Sequence, residues 1–196
     1  MTADAGSAPL LVVVSGPSGV GKDTVISRMR EMRLGYRFAV TATTRGQRDG
    51  EVDGLHYFFY SEETFHRMIA DGEFLEWAEV YGNLYGVPRR QVAETLDSGV
   101  DVIVKTDVQG AATIKRVEPQ ALLVFLAPPS MEALAGRLAS RMTESPEDLT
   151  VRLQTAEAEM RQAAGFDHIV VNRDGGVDDT AREIEAIISS ERAARQ

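Results

Sequence analysis

Residues 16–23 read Gly-Pro-Ser-Gly-Val-Gly-Lys-Asp, three glycines with a lysine at the exit of the stretch. They follow a continuous apolar run, Leu10 to Val14, and precede a helix-like segment from Thr24 to Arg30. Strand, glycine loop and helix in that order form the context of a phosphate-binding loop. Glycine lets the backbone bend so that successive N–H groups converge on phosphate oxygens. The helix N-terminus behind the loop adds partial positive charge, and Lys22 adds a full one. A glycine-rich turn that binds nothing is the plainer alternative, and it leaves the lysine unexplained. The pattern G-x-x-x-x-G-K-[ST] holds through Lys22 and breaks at Asp23, where a hydroxyl normally meets Mg²⁺. Thr24 projects about 100° further round the helix and is no obvious substitute. The stretch therefore reads as a nucleoside triphosphate site in which Asp23 is expected to hold Mg²⁺ directly or through water.

Other side chains suit the same chemistry. Thr43-Thr44-Arg45 with Arg48 sets two guanidinium groups on one irregular loop, and their planar forks match a phosphate dianion bidentately. Two solvated surface arginines are the alternative. Glu76 lies within Phe74-Leu75-Glu76-Trp77, a carboxylate in an apolar strand that must be paired or hydrogen-bonded if buried. Simple alternation would instead turn it to solvent. Asp107 ends the run Val102-Ile103-Val104 and begins a loop towards Gly110. Acids at the carboxyl ends of core strands serve nucleotide sites, and Asp107 is equally placed to cap a helix starting at Val108. Arg137 and Arg141 are four residues apart, on one helical face, with Arg152 on the next helical segment. Pairing of these arginines with Glu144, Glu147 and Asp148 is the alternative to a role on phosphates.

The elements that must position these groups follow from hydrophobic periodicity. Strand-length apolar runs recur at 10–14, 102–104, 121–126 and 169–171, as buried parallel strands do. Helical stretches lie near 22–33, 109–117, 130–141, 146–164 and 178–194, with end signals at Ser130, at Ser145-Pro146 and at Gly165. The expected architecture is α/β, a three-layer fold with a central parallel sheet. Residues 42–100 differ in texture: aromatics, short alternating runs and glycines at 50, 54, 72, 82 and 86 predict short strands around one helix, Ser61 to Ala70. They read as an inserted subdomain, with 9–41 and 101–196 as the core, 1–8 as a loose tail and 137–150 as a mobile lid.

Composition narrows the classes. A chain of 196 residues suits one globular unit. Its net charge, 21 − 30 = −9, argues against a general nucleic-acid binder. With no cysteine there is neither disulfide nor thiolate metal site, in keeping with a reducing, cytoplasmic setting. No apolar stretch approaches the roughly 20 residues of a membrane helix, and the first eight residues lack a basic leader pattern. The histidines His56, His66 and His168 have no metal-ligand spacing. Nothing in the residues specifies an oligomeric state.

From about residue 10 to about residue 190 the chain resembles the guanylate kinase family of P-loop nucleoside monophosphate kinases. The resemblance rests on ordered motifs: GPSGVGKD at 16–23, TATTRGQRDGEVDGLHY at 41–57, GEFLEWAEVYGNLYG at 72–86, DVQGA at 107–111, LAPPS at 126–130 and the arginines of 137–152. It implies a P-loop NTPase fold with a GMP-binding subdomain and a lid, and phosphoryl transfer from ATP to GMP with Mg²⁺. ATP would lie on Gly16, Pro17, Ser18, Gly19, Val20, Gly21, Lys22, Asp23 and Thr24, with Asn172 at the adenine. GMP, and by the same contacts dGMP, would meet Thr41, Arg45, Arg48, Glu51, Tyr57, Glu76, Tyr85, Val87 and Asp107. In this reading Arg45, Arg48, Tyr57 and Tyr85 hold the phosphate, while Glu76 reads guanine, helped by Thr41. A carboxylate matches guanine's adjacent N1–H and N2–H, and adenine has no N1–H. Lys22, Arg45, Asp107, Arg137, Arg141 and Arg152 would act on the transferring group.

Two positions depart from the family pattern. Asp23 is one. Val87 is the other, because Tyr85-Gly86 is normally followed by a Ser or Thr whose hydroxyl supports the guanine O6 edge. One neutral hydrogen bond is worth about 0.5–1.5 kcal/mol, so guanine preference is expected to survive with weaker base binding. Two alternatives stay open at this point: a non-catalytic guanylate-kinase-like interaction module, kept alive by Asp23, and a kinase for another nucleoside monophosphate, which Val87 permits and Glu76 opposes.

Overall fold

The computed structural model describes residues 8–80, 82–139 and 146–195, with the backbone alone for 146–149. Nine strands are assigned among them: β1 (Leu11–Ser15), β2 (Arg37–Phe38), β3 (Thr41–Thr43), β4 (Tyr57–Phe59), β5 (Phe74–Val80), β6 (Asn83–Pro88), β7 (Val102–Lys105), β8 (Leu122–Ala127) and β9 (His168–Val171). The helices are α1 (Lys22–Glu31), α2 (Glu62–Ala70), α3 (Arg89–Asp97), α4 (Val108–Val117), α5 (Met131–Ala139), α6 (Pro146–Arg161) and α7 (Val177–Ala194). A five-stranded sheet runs in the order β2-β7-β1-β8-β9 and a four-stranded sheet in the order β4-β3-β6-β5. In the first, β2 pairs with β7 and β8 with β9 in parallel. This is the α/β class with a central parallel sheet that the apolar runs predict.

The described residues divide into two compact units, one drawn from 14–34 and 122–195, the other from 8–13 and 35–121. In the first unit β8 is buried along its whole length, as its uninterrupted sequence Leu-Leu-Val-Phe-Leu-Ala requires. Helix α7 buries Ala181, Ile184 and Ile188 and is tied to α1 by the Arg28 guanidinium, 2.6 Å from Asp178. Leu134 and Leu138 of α5 pack with Ala156 of α6 in a smaller apolar cluster. Arg137 is described on α5, whereas Arg141 and most of the expected 137–150 lid lie outside the described residues.

In the second unit α2 packs Phe65 and Met68 beneath the four-stranded sheet, against Ala42, Phe74 and Leu84. The Phe65 and Phe74 rings stack at 4.4 Å. Ser61 caps this helix, its hydroxyl accepting the Thr64 N–H. Two elements differ from expectation. The 42–100 stretch holds a second helix, α3, which buries only Val92 and so shows little apolar periodicity. Helix α1 stops at Glu31, and Arg33 adopts a positive φ of 51°, which ends the helical pattern two residues early.

Candidate nucleotide-binding site

Gly16 leaves β1 with φ 141°, and a Cβ there would sit 2.2 Å from the Leu126 carbonyl oxygen of β8. Only glycine lets the strand end and the loop begin that close to its neighbour. Gly21 caps α1 in the left-handed region with no side-chain hydrogen bond, which sets the positive end of the helix dipole at the loop's exit. Lys22 curls over the loop, its ammonium donating to the Gly16 carbonyl and, at 3.1 Å, to that of Pro17. Asp23 and Thr24 follow in the first helical turn, both exposed.

Three of the singled-out side chains brace this loop. The Asn172 amide donates to the Val20 carbonyl at 2.8 Å, and its oxygen accepts from Thr180 at 3.1 Å. Arg137 donates to the carbonyls of Val20 at 3.0 Å and Asn172 at 2.7 Å, and pairs with Asp174 at 2.7 Å. The acid it meets is therefore on the β9–α7 connection. Arg152 reaches from α6 to the Ser18 hydroxyl at 2.8 Å. Gly16 to Thr24, Asn172, Arg137 and Arg152 are thus brought together within one unit.

A divalent cation at this loop needs hard oxygen donors and keeps much of its water. The exposed Asp23 carboxylate in the first turn of α1 has the donor chemistry for such an ion. Among the described residues no group of three or more His, Cys, Asp or Glu forms a cage of protein ligands alone.

The second unit gathers the remaining residues into two clusters. In the first, Arg45 forks onto Glu51 at 2.7 and 3.0 Å. Glu51 also accepts the Arg48 N–H at 2.8 Å. Burial lowers the affinity of Arg45 for its proton, but the Glu51 hydrogen bond and charge, with Tyr85, leave it raised above the ordinary arginine value. Burial likewise pushes Glu51 up, and the hydrogen bonds from Arg45 and Arg48 bring it below the usual carboxylate range. The Arg45 guanidinium lies 5.4 Å from the Tyr57 ring centre. Tyr57 meets Tyr85 edge to face at 6.2 Å, and its hydroxyl accepts from the Lys105 ammonium at 2.7 Å. The Arg48 side chain is exposed.

The second cluster surrounds Glu76. Its residue is 4% exposed, although strand alternation would turn it outward. A register shift between Phe74 and Glu76 in the pairing of β5 with β6 supplies the reason: a bulge re-aims the following side chain. Phe74, Leu75 and Glu76 are all buried and Trp77 is exposed. Thr106 donates to Glu76 Oε1 at 2.8 Å. Oε2, equally buried, has no hydrogen-bond partner among the described residues. Burial pushes the Glu76 carboxyl up to about 7, the Thr106 hydrogen bond holding it back and the Asp107 charge adding to it. Val87 stands opposite Glu76 in the ladder, fully buried. Asp107 caps α4, accepting the Gly110 N–H at 2.7 Å. Buried Thr41 lies 3.4 Å from the Lys105 carbonyl.

Sequence reasoning missed two residues here, Lys105 and Thr106. The available signal was a lysine and a threonine closing the apolar run Val102-Ile103-Val104: consecutive residues of a strand end turn to opposite sides, one to Tyr57 and the other to Glu76.

A glycine loop between a buried parallel strand and a helix, braced by arginines, defines a P-loop-type nucleotide kinase. Comparison with known proteins gives the family. The sequence profile of guanylate kinase matches residues 9–191. The guanylate kinase of Symbiobacterium thermophilum is 50% identical over 187 residues, covering 94% of this chain and 86% of the relative. Rice guanylate kinase 2, chloroplastic/mitochondrial, is 44% identical over 94% of this chain, which spans 65% of that relative's length. The crystal structure of guanylate kinase from Anaplasma phagocytophilum superposes with a TM-score of 0.79 at 33% identity, covering 95% of this chain and 87% of that one. The chain belongs to the guanylate kinase family.

Proposed function

We propose that the chain transfers the γ-phosphoryl group of ATP to GMP, giving ADP and GDP, a step of purine nucleotide metabolism, and accepts dGMP by the same contacts. The observation that carries the guanine assignment is Glu76: a carboxylate buried in a β-bulge, half satisfied by Thr106, with Oε2 still needing donors. Guanine offers two adjacent ones, and adenine offers no N1–H. A site built around such donors rejects an analogue lacking them by about 10⁴–10⁵.

The ATP phosphates lie along residues 16–24, whose backbone N–H groups, Pro17 having none, face the anion, and the Lys22 ammonium exchanges its loop carbonyls for phosphate oxygens. Asn172 positions the Val20 end of the loop on the adenine side. Arg45 and Arg48, with the hydroxyls of Tyr57 and Tyr85, hold the GMP phosphate. Glu51 aims Arg45 rather than meeting the anion, since a carboxylate repels phosphate. Lys105 fixes the Tyr57 hydroxyl. Thr41, Val87 and Glu76 line the base, and Asp107 sits by the acceptor.

No protein nucleophile is required. A GMP phosphate oxygen attacks the γ-phosphorus in line as the bond to the ADP β-phosphate oxygen breaks, and the protein contributes position and charge. Arg137, Arg141 and Arg152 stabilise the transferring group; the hold of Arg152 on Ser18 and of Arg137 on Val20 supports their place at the loop. Mg²⁺, with Asp23 as its protein ligand, would neutralise charge between the β- and γ-phosphates. A cytoplasmic setting fits a chain without cysteine, and no helix among the described residues is long and apolar enough to cross a membrane.

The test is ADP release from Mg²⁺·ATP with GMP, dGMP, AMP, CMP or UMP. Release with GMP and dGMP is the expected result. Turnover of AMP at a comparable rate overturns the Glu76 assignment, and silence with every acceptor in a folded protein favours a binding module.

A further inference from the structure

The strand position opposite Glu76 is occupied by Val87, a side chain that neither donates nor accepts. Whatever orients the Glu76 carboxylate must therefore come from another element. It comes from the end of β7. Thr106 is itself buried at 9% exposure, and its hydroxyl donates to Oε1 at 2.8 Å. On the far side, α4 closes the space at Gly110, where a Cβ would stand 2.1 Å from Thr106 Oγ1 and 2.5 Å from Glu76 Oε2. The carboxylate is thus clamped between a hydroxyl and a bare backbone. One hydrogen bond and one close backbone bear on a terminal torsion that is broad for a free glutamate.

We propose that Thr106 is the positioning residue for base recognition in this chain. Its hydroxyl pins Oε1 of Glu76 and leaves Oε2, with the second lone pair of Oε1, for a planar purine edge carrying two adjacent N–H donors. The inference rests on the reading of Glu76 as the guanine partner. Thr106 touches the carboxylate and not the reacting phosphates, so its removal acts on acceptor affinity and base preference, and not on the transfer step. The chain supplies from β7 the hydroxyl that the strand facing Glu76 lacks at Val87.

The test compares Thr106→Val, which keeps the shape and loses the donor, with Thr106→Ser, which keeps the donor. GMP and IMP serve as acceptors, because IMP retains N1–H and lacks the 2-amino group. Expected for Thr106→Val is a KM for GMP raised about tenfold, the scale of a hydrogen bond to a charged group, with kcat and the KM for ATP within about twofold. The preference for GMP over IMP falls with it, because a swivelling carboxylate no longer rewards the second donor. Thr106→Ser restores both. Should Thr106→Val not fold, Thr106→Cys, a near-isostere with a weak donor, carries the same comparison. A Thr106→Val enzyme with parental KM and parental GMP-over-IMP preference overturns the proposal. Glu76→Gln separates the two levels. If it loses the base preference while Thr106→Val keeps it, only the role of Thr106 falls; if Glu76→Gln itself keeps the preference, the reading of Glu76 falls and takes Thr106 with it.

Discussion

At the scale of single residues the site is governed by what burial does to charge. Glu76 sits at about 7 instead of the ordinary 4.5, so the folded state favours its neutral form. The stability this contributes is fully present below about pH 4.5 and is lost as pH rises through 7, roughly 3 kcal/mol over that window for a shift of this size. Guanine's two donors favour the ionised form and reverse the shift. GMP binding should therefore release close to one proton from Glu76 near pH 6, beyond what the nucleotide's own phosphate releases there, and almost none above pH 8. Calorimetric titration in buffers of different ionisation enthalpy measures this, with Glu76→Gln as the reference that keeps the phosphate's share and loses the carboxyl's; equal proton release by the two enzymes near pH 6 would contradict it. Asp23 makes a second residue-scale case. As an exposed carboxylate beside Thr24 it offers a full negative charge where the family pattern has a hydroxyl. Asp23→Ser should raise the half-saturating Mg²⁺ concentration severalfold and leave the KM for GMP unchanged. Identical Mg²⁺ titrations of the two enzymes would exclude Asp23 as a ligand.

Elements decide which of these residues can act, and they differ in how far the sequence discloses them. Strands β1, β7 and β8 are visible as apolar runs because their burial is nearly continuous, and β9 is visible by its Ile-Val-Val composition although only Val170 is buried. Helix α5 is visible because an apolar stripe meets a capping signal at Ser130, and α7 is visible by its apolar stripe alone. By contrast, β2 has two residues, too few for any period. Helix α3 buries a single side chain, and its pattern is consequently that of a polar loop. The bulge in β5 is a pairing event between strands and leaves no mark in local composition, yet it is what buries Glu76. The site was legible where motifs name residues, as at Lys22, Arg45 and Glu76. It was not legible where tertiary pairing assigns partners, as for Glu51 on Arg45, Asp174 on Arg137 and Thr106 on Glu76. The first turn of α4 shows the energetic side of that pairing. Gly110→Ala would drive a methyl against Thr106 and Glu76, and overpacking of this kind costs about 1–3 kcal/mol. We expect GMP affinity to fall tenfold or more while affinity for a non-hydrolysable ATP analogue stays within about twofold. Equal loss of both ligands would mean that the substitution disrupts the fold and not the base site.

For the molecule as a whole, a net charge of −9 means that anionic nucleotides meet favourable potential only where basic groups are gathered. Those groups fall into two sets, one in each compact unit: Lys22, Arg137 and Arg152 in the first, Arg45, Arg48 and Lys105 in the second. Each unit also supplies its own bracing, Asn172 and Thr180 for the loop, Glu51 and Thr106 for the acceptor residues. Separate sets of this kind should bind their ligands without requiring each other. A ligand that binds only the native state stabilises it by about 2.7 kcal/mol at a hundred times its Kd, which for a chain of this length corresponds to roughly 5–11 °C in Tm. GMP alone and the ATP analogue alone should each raise Tm by an amount in that range. Glu76→Gln should remove most of the GMP shift and leave the analogue's intact, and Lys22→Ala should do the reverse. Loss of both shifts in either variant would show that the two sets of residues do not act as separate sites, because a lesion confined to one would then have disabled the other.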